Sequence, residues 1–86
     1  MEEYMDVTRL PLNQRAPELE DRVTVYADNP PRFRWGGTVA YRREAVFIEA
    51  PDIYPTSQAA EHQALVWAEH HSSEMLFLET IDDGPR

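Results

Sequence analysis

The stretch Tyr54-Pro-Thr-Ser-Gln-Ala-Ala-Glu-His-Gln-Ala-Leu-Val-Trp-Ala-Glu-His-His71 decides how the chain is read. Pro55 and Thr56 form a helix entrance, with Thr56 or Ser57 as the N-cap whose hydroxyl accepts from a first-turn N–H. From Gln58 onward every residue tolerates helix until Ser72-Ser73 ends it. Steps of about 100° per residue gather Ala60, Ala64, Leu65, Trp67, Ala68 and His71 on one broad arc. Glu61 falls inside that arc, between Ala68 and Leu65. A carboxylate on a packing face is costly unless a charged or hydrogen-bonding group meets it. A capping box does not account for it, because the residue three after Thr56 is Ala59 and three after Ser57 is Ala60. Glu61 therefore needs a partner from elsewhere; an arginine from the preceding hairpin would satisfy it structurally.

Upstream of the helix, Arg22-Val-Thr-Val-Tyr-Ala-Asp28 alternates as a strand, with Val23, Val25 and Ala27 on one side and Thr24, Tyr26 and Asp28 on the other. Asn29-Pro30-Pro31 ends it, since prolines cannot join a central ladder. Arg32 to Arg34 form a loop or a strand start, and Gly36-Gly37 permit a close backbone approach or a bulge. Thr38–Tyr41 and Ala45–Ala50 are two further strands joined through Arg42-Arg43-Glu44. Downstream, Glu74 to Asp82 is the last strand, and its apolar run Met75–Leu78 suits a strand covered on both faces. Residues 1–22 look like an arm or linker, interrupted by Pro11 and Pro17, before a folded unit over 23–86.

The predicted order is β-β-β-α-β: a three-stranded meander, a crossover helix, and a strand free to lie parallel to the first. The handedness rule for crossovers sets that last strand beside the first. Asp28 and Asp82 would then share the carboxyl edge of neighbouring parallel strands, where open α/β sheets bind ligands. Glu61, in the second turn of the covering helix, could reach the same edge. Clustered acids raise one another's pKa unless a cation neutralises them. Oxygen-only ligands suit Mg²⁺ or Mn²⁺, and such an ion can activate water for phosphodiester cleavage.

The bulk properties bound these readings. Eighty-six residues make one small domain with a modest core. No cysteine is present, which excludes disulfides and thiolate metal sites. No apolar run is long enough for a membrane span and no signal peptide is evident, so a soluble intracellular protein is expected. The net charge of −8 argues against non-specific nucleic-acid binding through a basic surface, while leaving binding through carboxylate-held metal ions open. Arg32, Arg34, Arg42 and Arg43 concentrate positive charge near the hairpin, for a phosphate backbone or for pairing with the acidic arm. His62, His70 and His71 lack a metal-ligand spacing and suit a partly exposed helix end.

The same residues resemble a known family. Val-Tyr-Ala-Asp28 is similar to the opening strand of ribonuclease H domains, which ends in the first metal-binding aspartate. Trp35-Gly-Gly-Thr-Val-Ala-Tyr-Arg-Arg looks like the second strand and its turn. Thr56-Ser-Gln-Ala-Ala-Glu61 resembles the first-helix signature, in which a Thr precedes a metal-binding Glu by five residues. Phe77-Leu-Glu-Thr-Ile-Asp82 resembles the fourth strand, which ends in the second metal-binding aspartate. The likeness is closest to domains attached to retroelement reverse transcriptases and spans roughly residues 22 to 83. It implies a ribonuclease H-like mixed sheet, Mg²⁺ or Mn²⁺ as cofactor, and hydrolysis of the RNA of an RNA–DNA hybrid. Asp28, Glu61 and Asp82 would be the catalytic ligands, with Asp83, or even Glu79, as alternatives for the third. The family's domain continues past the point matching Arg86, so the resemblance implies a truncated first half whose activity alone is open.

Two other functional readings stand beside it. One is a non-enzymatic acidic αβ module, an inhibitor or assembly component that covers a basic surface on a partner protein. The other is a degenerate ribonuclease H-like fold kept as a structural piece of a larger assembly. Without a metal, Asp28 is a strand-terminal turn residue, and Asp82 and Asp83 belong to a solvated tail.

Overall fold

A computed structural model describes residues 6–27, 32–41, 44–71 and 75–82. Five strands and one helix follow in the order β1 (Asp6–Arg9), β2 (Arg22–Ala27), β3 (Phe33–Tyr41), β4 (Glu44–Glu49), α1 (Ser57–His70) and β5 (Met75–Ile81). The strands form a single mixed sheet in the order β1-β5-β2-β3-β4. β2, β3 and β4 are the expected antiparallel meander. β5 lies parallel to β2, with Arg22 opposite Phe77 and Tyr26 opposite Ile81. The fold is thus mixed α/β, and the last strand of the meander-helix-strand unit sits beside the first strand of the meander, as the crossover argument required.

The outer position next to β5 is filled by β1, which pairs parallel with it from Asp6–Met75 to Arg9–Leu78. Part of the segment expected as an arm therefore belongs to the sheet. The signal was weak for a physical reason: a four-residue edge strand has only Val7 turned toward the core, too little for a visible alternation. After β1 the chain follows β5, with the Leu10 N–H donating to Leu78 O and the Asn13 N–H to Thr80 O. Asn13 and Leu19 take left-handed backbone angles, φ 66° and 71°.

The pleat divides the sheet into two unlike faces. Val23, Val25, Trp35, Val39, Leu76 and Leu78 form the core with Ala60, Ala64 and Ala68 of α1. Those alanines recur every fourth residue and are fully buried, so the helix backbone lies close against β2 and β3. Gly37 extends the close fit: a methyl there would lie 2.5 Å from Cζ3 of Trp67, whose ring rests on the strand. β3 thus begins at Phe33, ahead of the expected Thr38, and takes in Gly36 and Gly37, where the expected close approach occurs. Trp67 also meets Trp35 at 5.9 Å between ring centroids and His71 at 4.8 Å. Thr56 is the N-cap, its hydroxyl accepting from Ala59 N at 3.1 Å, and the His71 N–H closes the last turn on Ala68 O. No helix is long and apolar enough to cross a membrane among the described residues.

Candidate functional site

The parallel pair β2–β5 ends at one edge of the sheet. Tyr26 opposite Ile81 is its last pair, Asp82 follows directly, and Ala27 is the last residue of β2. Asp82 is half-buried, and its N–H donates to Asn13 Oδ1 at 2.7 Å, which ties the end of β5 to the loop after β1. Asp28 and Asp83 lie outside the described residues. The arrangement of Asp28, Glu61, Asp82 and Asp83 as a set is consequently not part of what the structure describes.

Glu61 has found the partner its position demanded. Arg9, at the end of β1, donates a hydrogen bond and forms an ion pair to its carboxylate. The edge strand, and not the hairpin, supplies this cation. Glu61 keeps 20% of its side chain exposed and Arg9 65%, so the pair sits at the rim of the helix–sheet seam. The hydrogen bond that Arg9 donates to Glu61 raises the Arg9 pKa above its ordinary value, against a smaller opposing effect of burial. Arginine is charged at any physiological pH, so the shift speaks of the closeness of the pair and not of a proton-transfer role.

Glu79, the remaining candidate for a metal ligand, is on the other face. It pairs in register with Thr24 and is 1% exposed, the most deeply buried acid in the described structure. The Thr24 hydroxyl donates to its Oε1 at 2.6 Å, and the Ala16 N–H donates to its Oε2. Arg15 and Arg22 stand 3.6 Å from its two oxygens. Arg22 also donates to the carbonyls of Ala16, Pro17 and Glu20. These bonds hold the 10–21 loop against the face that α1 leaves uncovered, with Ala16 buried beneath it. A buried carboxylate saturated by internal donors is a structural anchor. Alternation carried this signal: Glu79 has the parity of Phe77 and Ile81, opposite to Leu76 and Leu78 and hence to the helix.

Beside the anchor the uncovered face holds a groove of about 200 Å³, lined by Thr24, Tyr26, Thr38, Phe47, Glu49 and Arg15 among others. Among the described residues no group of three or more His, Cys, Asp or Glu stands close enough to hold a metal ion. Of Asp28, Glu61, Asp82 and Asp83, Glu61 and Asp82 fall within the described residues, and carboxylate oxygens are the donor type Mg²⁺ or Mn²⁺ would require. A cation at Glu61 would have to share it with, or displace, Arg9. His71 stacks on Trp67 at the far end of α1, with its Nδ1 2.9 Å from Trp67 O, in keeping with a helix-end histidine.

The fold and these residues define a small mixed α/β domain with a five-stranded sheet and one covering helix. In comparisons with known proteins, no family model matches the chain, and neither a curated protein nor a solved structure does so.

Proposed function

We propose that this chain is a ribonuclease H-like domain of the retroelement type, built to act on the RNA of an RNA–DNA hybrid with a divalent metal. The observation that carries the reading is the parallel adjacency of β2 and β5 under a helix that bears Glu61. That connectivity sets the ends of β2 and β5 side by side, the kind of edge at which open α/β sheets bind ligands, and in this reading Asp28, Asp82 and Asp83 would be the ligands. Mg²⁺ or Mn²⁺, when bound, would supply an activated water and charge stabilisation at the phosphodiester. The chain's own part is to hold that edge rigid: Asn13 fixes the backbone at Asp82, and Arg9 orients Glu61 until a metal competes for it.

The test is direct. Mg²⁺ or Mn²⁺ at millimolar concentration is expected to raise the melting temperature above that in NaCl of equal ionic strength, and Asp28→Asn or Glu61→Gln is expected to abolish the gain. Cleavage of a labelled RNA–DNA hybrid, absent in both variants, would complete the case. Neither ion binding at that concentration removes the reading.

A second reading is favoured by the Arg9–Glu61 ion pair, since a carboxylate already neutralised internally does not need a metal. In that reading the chain is a non-enzymatic acidic module that covers a basic partner surface. It predicts that Asp28→Asn leaves partner binding unchanged.

A further inference from the structure

The outer side of β4 is an open sheet edge. β3 is its neighbour on the inner side, and among the described residues no strand occupies the other. The bonding pattern can be assigned residue by residue. Ala50 N donates to Trp35 O at 3.0 Å, which makes Trp35–Ala50 a hydrogen-bonded pair. Antiparallel ladders alternate bonded and non-bonded pairs, so Gly37–Ile48 and Val39–Val46 are bonded as well. The N–H and C=O groups of Ala45, Phe47 and Glu49 therefore point away from the sheet. Beyond Glu49 the edge closes, because Tyr54 and Phe33 exchange both backbone bonds.

The side chains along this edge are not those of a protected one. It carries no proline, lysine or arginine from 44 to 49, and Phe47 at its centre is 76% exposed. Glu44 and Glu49 bracket the apolar centre at the two ends of the strand. A second copy of this acidic chain, with a net charge of −8, would be repelled as it approached. A basic strand would be attracted.

We propose that the β4 edge is a docking site for an extended segment of a partner protein, added antiparallel as a sixth strand, with an apolar centre and a Lys or Arg at each end. This does not depend on the nuclease reading. Backbone bonds to Ala45, Phe47 and Glu49 hold the segment, and its side chains select it. The residue opposite Phe47 and its two neighbours are apolar. The residue opposite Glu49, two positions before that centre, is basic, as is the residue opposite Glu44, three positions after it. The resulting pattern is basic, apolar, apolar, apolar, any, basic.

The blocked synthetic peptide Lys-Val-Phe-Val-Thr-Lys tests this against the full chain. Binding is expected to protect the amide hydrogens of Ala45, Phe47 and Glu49 from exchange, while Val46 and Ile48, already bonded to β3, do not change. Exchanging both lysines for glutamate is expected to weaken binding about tenfold, as loss of two attractive cross-strand pairs and gain of two repulsive ones implies. Raising the salt should weaken the Lys peptide. Glu49→Lys should invert the preference toward a peptide with glutamate at the position facing it, a result independent of whether an edge proline variant folds. Phe47→Pro should abolish binding, because its ring removes an outward N–H and no bond to β3. The proposal is overturned by protection elsewhere, by equal binding of the Lys and Glu peptides, or by β4 amides protected in the free protein through self-association that salt strengthens.

Discussion

Glu79 ties the 10–21 loop to the uncovered face of the sheet. It is buried, it accepts from Thr24 and Ala16, and it attracts Arg15 and Arg22. Removing it leaves the buried Thr24 hydroxyl and Ala16 N–H without their acceptor, at a cost of about 1–3 kcal/mol each. Glu79→Ala is therefore expected to lose stability on that scale in urea unfolding, and the 10–21 loop should become protease-sensitive. Thr24→Val, which removes one hydroxyl donor, should cost about 1 kcal/mol. A Glu79→Ala loss no larger than that of Thr24→Val would mean that the loop is held by other contacts. The Arg9–Glu61 pair is expected to behave differently. Its Arg9 side is largely exposed, so a double-mutant cycle with Arg9→Gln and Glu61→Gln should give a coupling below about 1 kcal/mol. A raised arginine pKa contributes stability that is present below the ordinary arginine range and fades only as pH rises through it. The coupling measured through Arg9 should therefore be flat across neutral pH, and a steep change near neutrality would assign the pair another charge partner.

At the scale of elements, the helix was legible in the sequence and β1 was not. Thr56, the alanines at 60, 64 and 68, and Trp67 mark the start and the buried arc of α1, and the structure uses each of them. β5 beside β2 followed from connectivity alone. The Asp6–Arg9 strand could not be read because its pairing is long-range, and its one core residue leaves no period. For the same reason the hairpin looked like the source of a cation for Glu61, while the arginine that reaches it stands far earlier in the chain. The interior position of Gly37 was half-visible: a close approach was expected, but its object, the Trp67 ring, needed coordinates. This close seam between α1 and β3 leads to a sharp expectation. Gly37→Ala should cost about 1–3 kcal/mol, since the added methyl would lie 2.5 Å from the Trp67 ring and 3.1 Å from Val23 Cγ1, so that the ring must shift from its seat on the strand. The same substitution combined with Trp67→Leu should recover much of that loss. A Gly37→Ala variant as stable as the parent in denaturant unfolding would mean that the helix can shift outward along its alanine face.

For the molecule as a whole, charge is the dominant long-range term. Sixteen acidic residues against eight basic ones give −8 on a domain of 86 residues, and the internal ion pairs described above use only a few of them. Folding draws the unpaired carboxylates together, and their mutual repulsion opposes the compact state. Monovalent salt screens this repulsion over a Debye length of about 8–10 Å at physiological strength. The cost to an exposed pair such as Arg9–Glu61 is smaller, because that pair contributes little at the start. Salt is therefore expected to stabilise the protein, by about 1 kcal/mol between low salt and about 0.5 M, which corresponds to about 4–8 °C in melting temperature for a domain of this size. The divalent experiment gains its meaning against this background. Screening alone would make Mg²⁺ and NaCl equivalent at equal ionic strength, whereas ligation by a strand-end carboxylate set would add a stabilisation that saturates with concentration. Arg9→Gln should enlarge that additional part by removing the internal competitor for Glu61. A melting temperature that falls as NaCl rises would instead assign net stabilisation to the ion pairs.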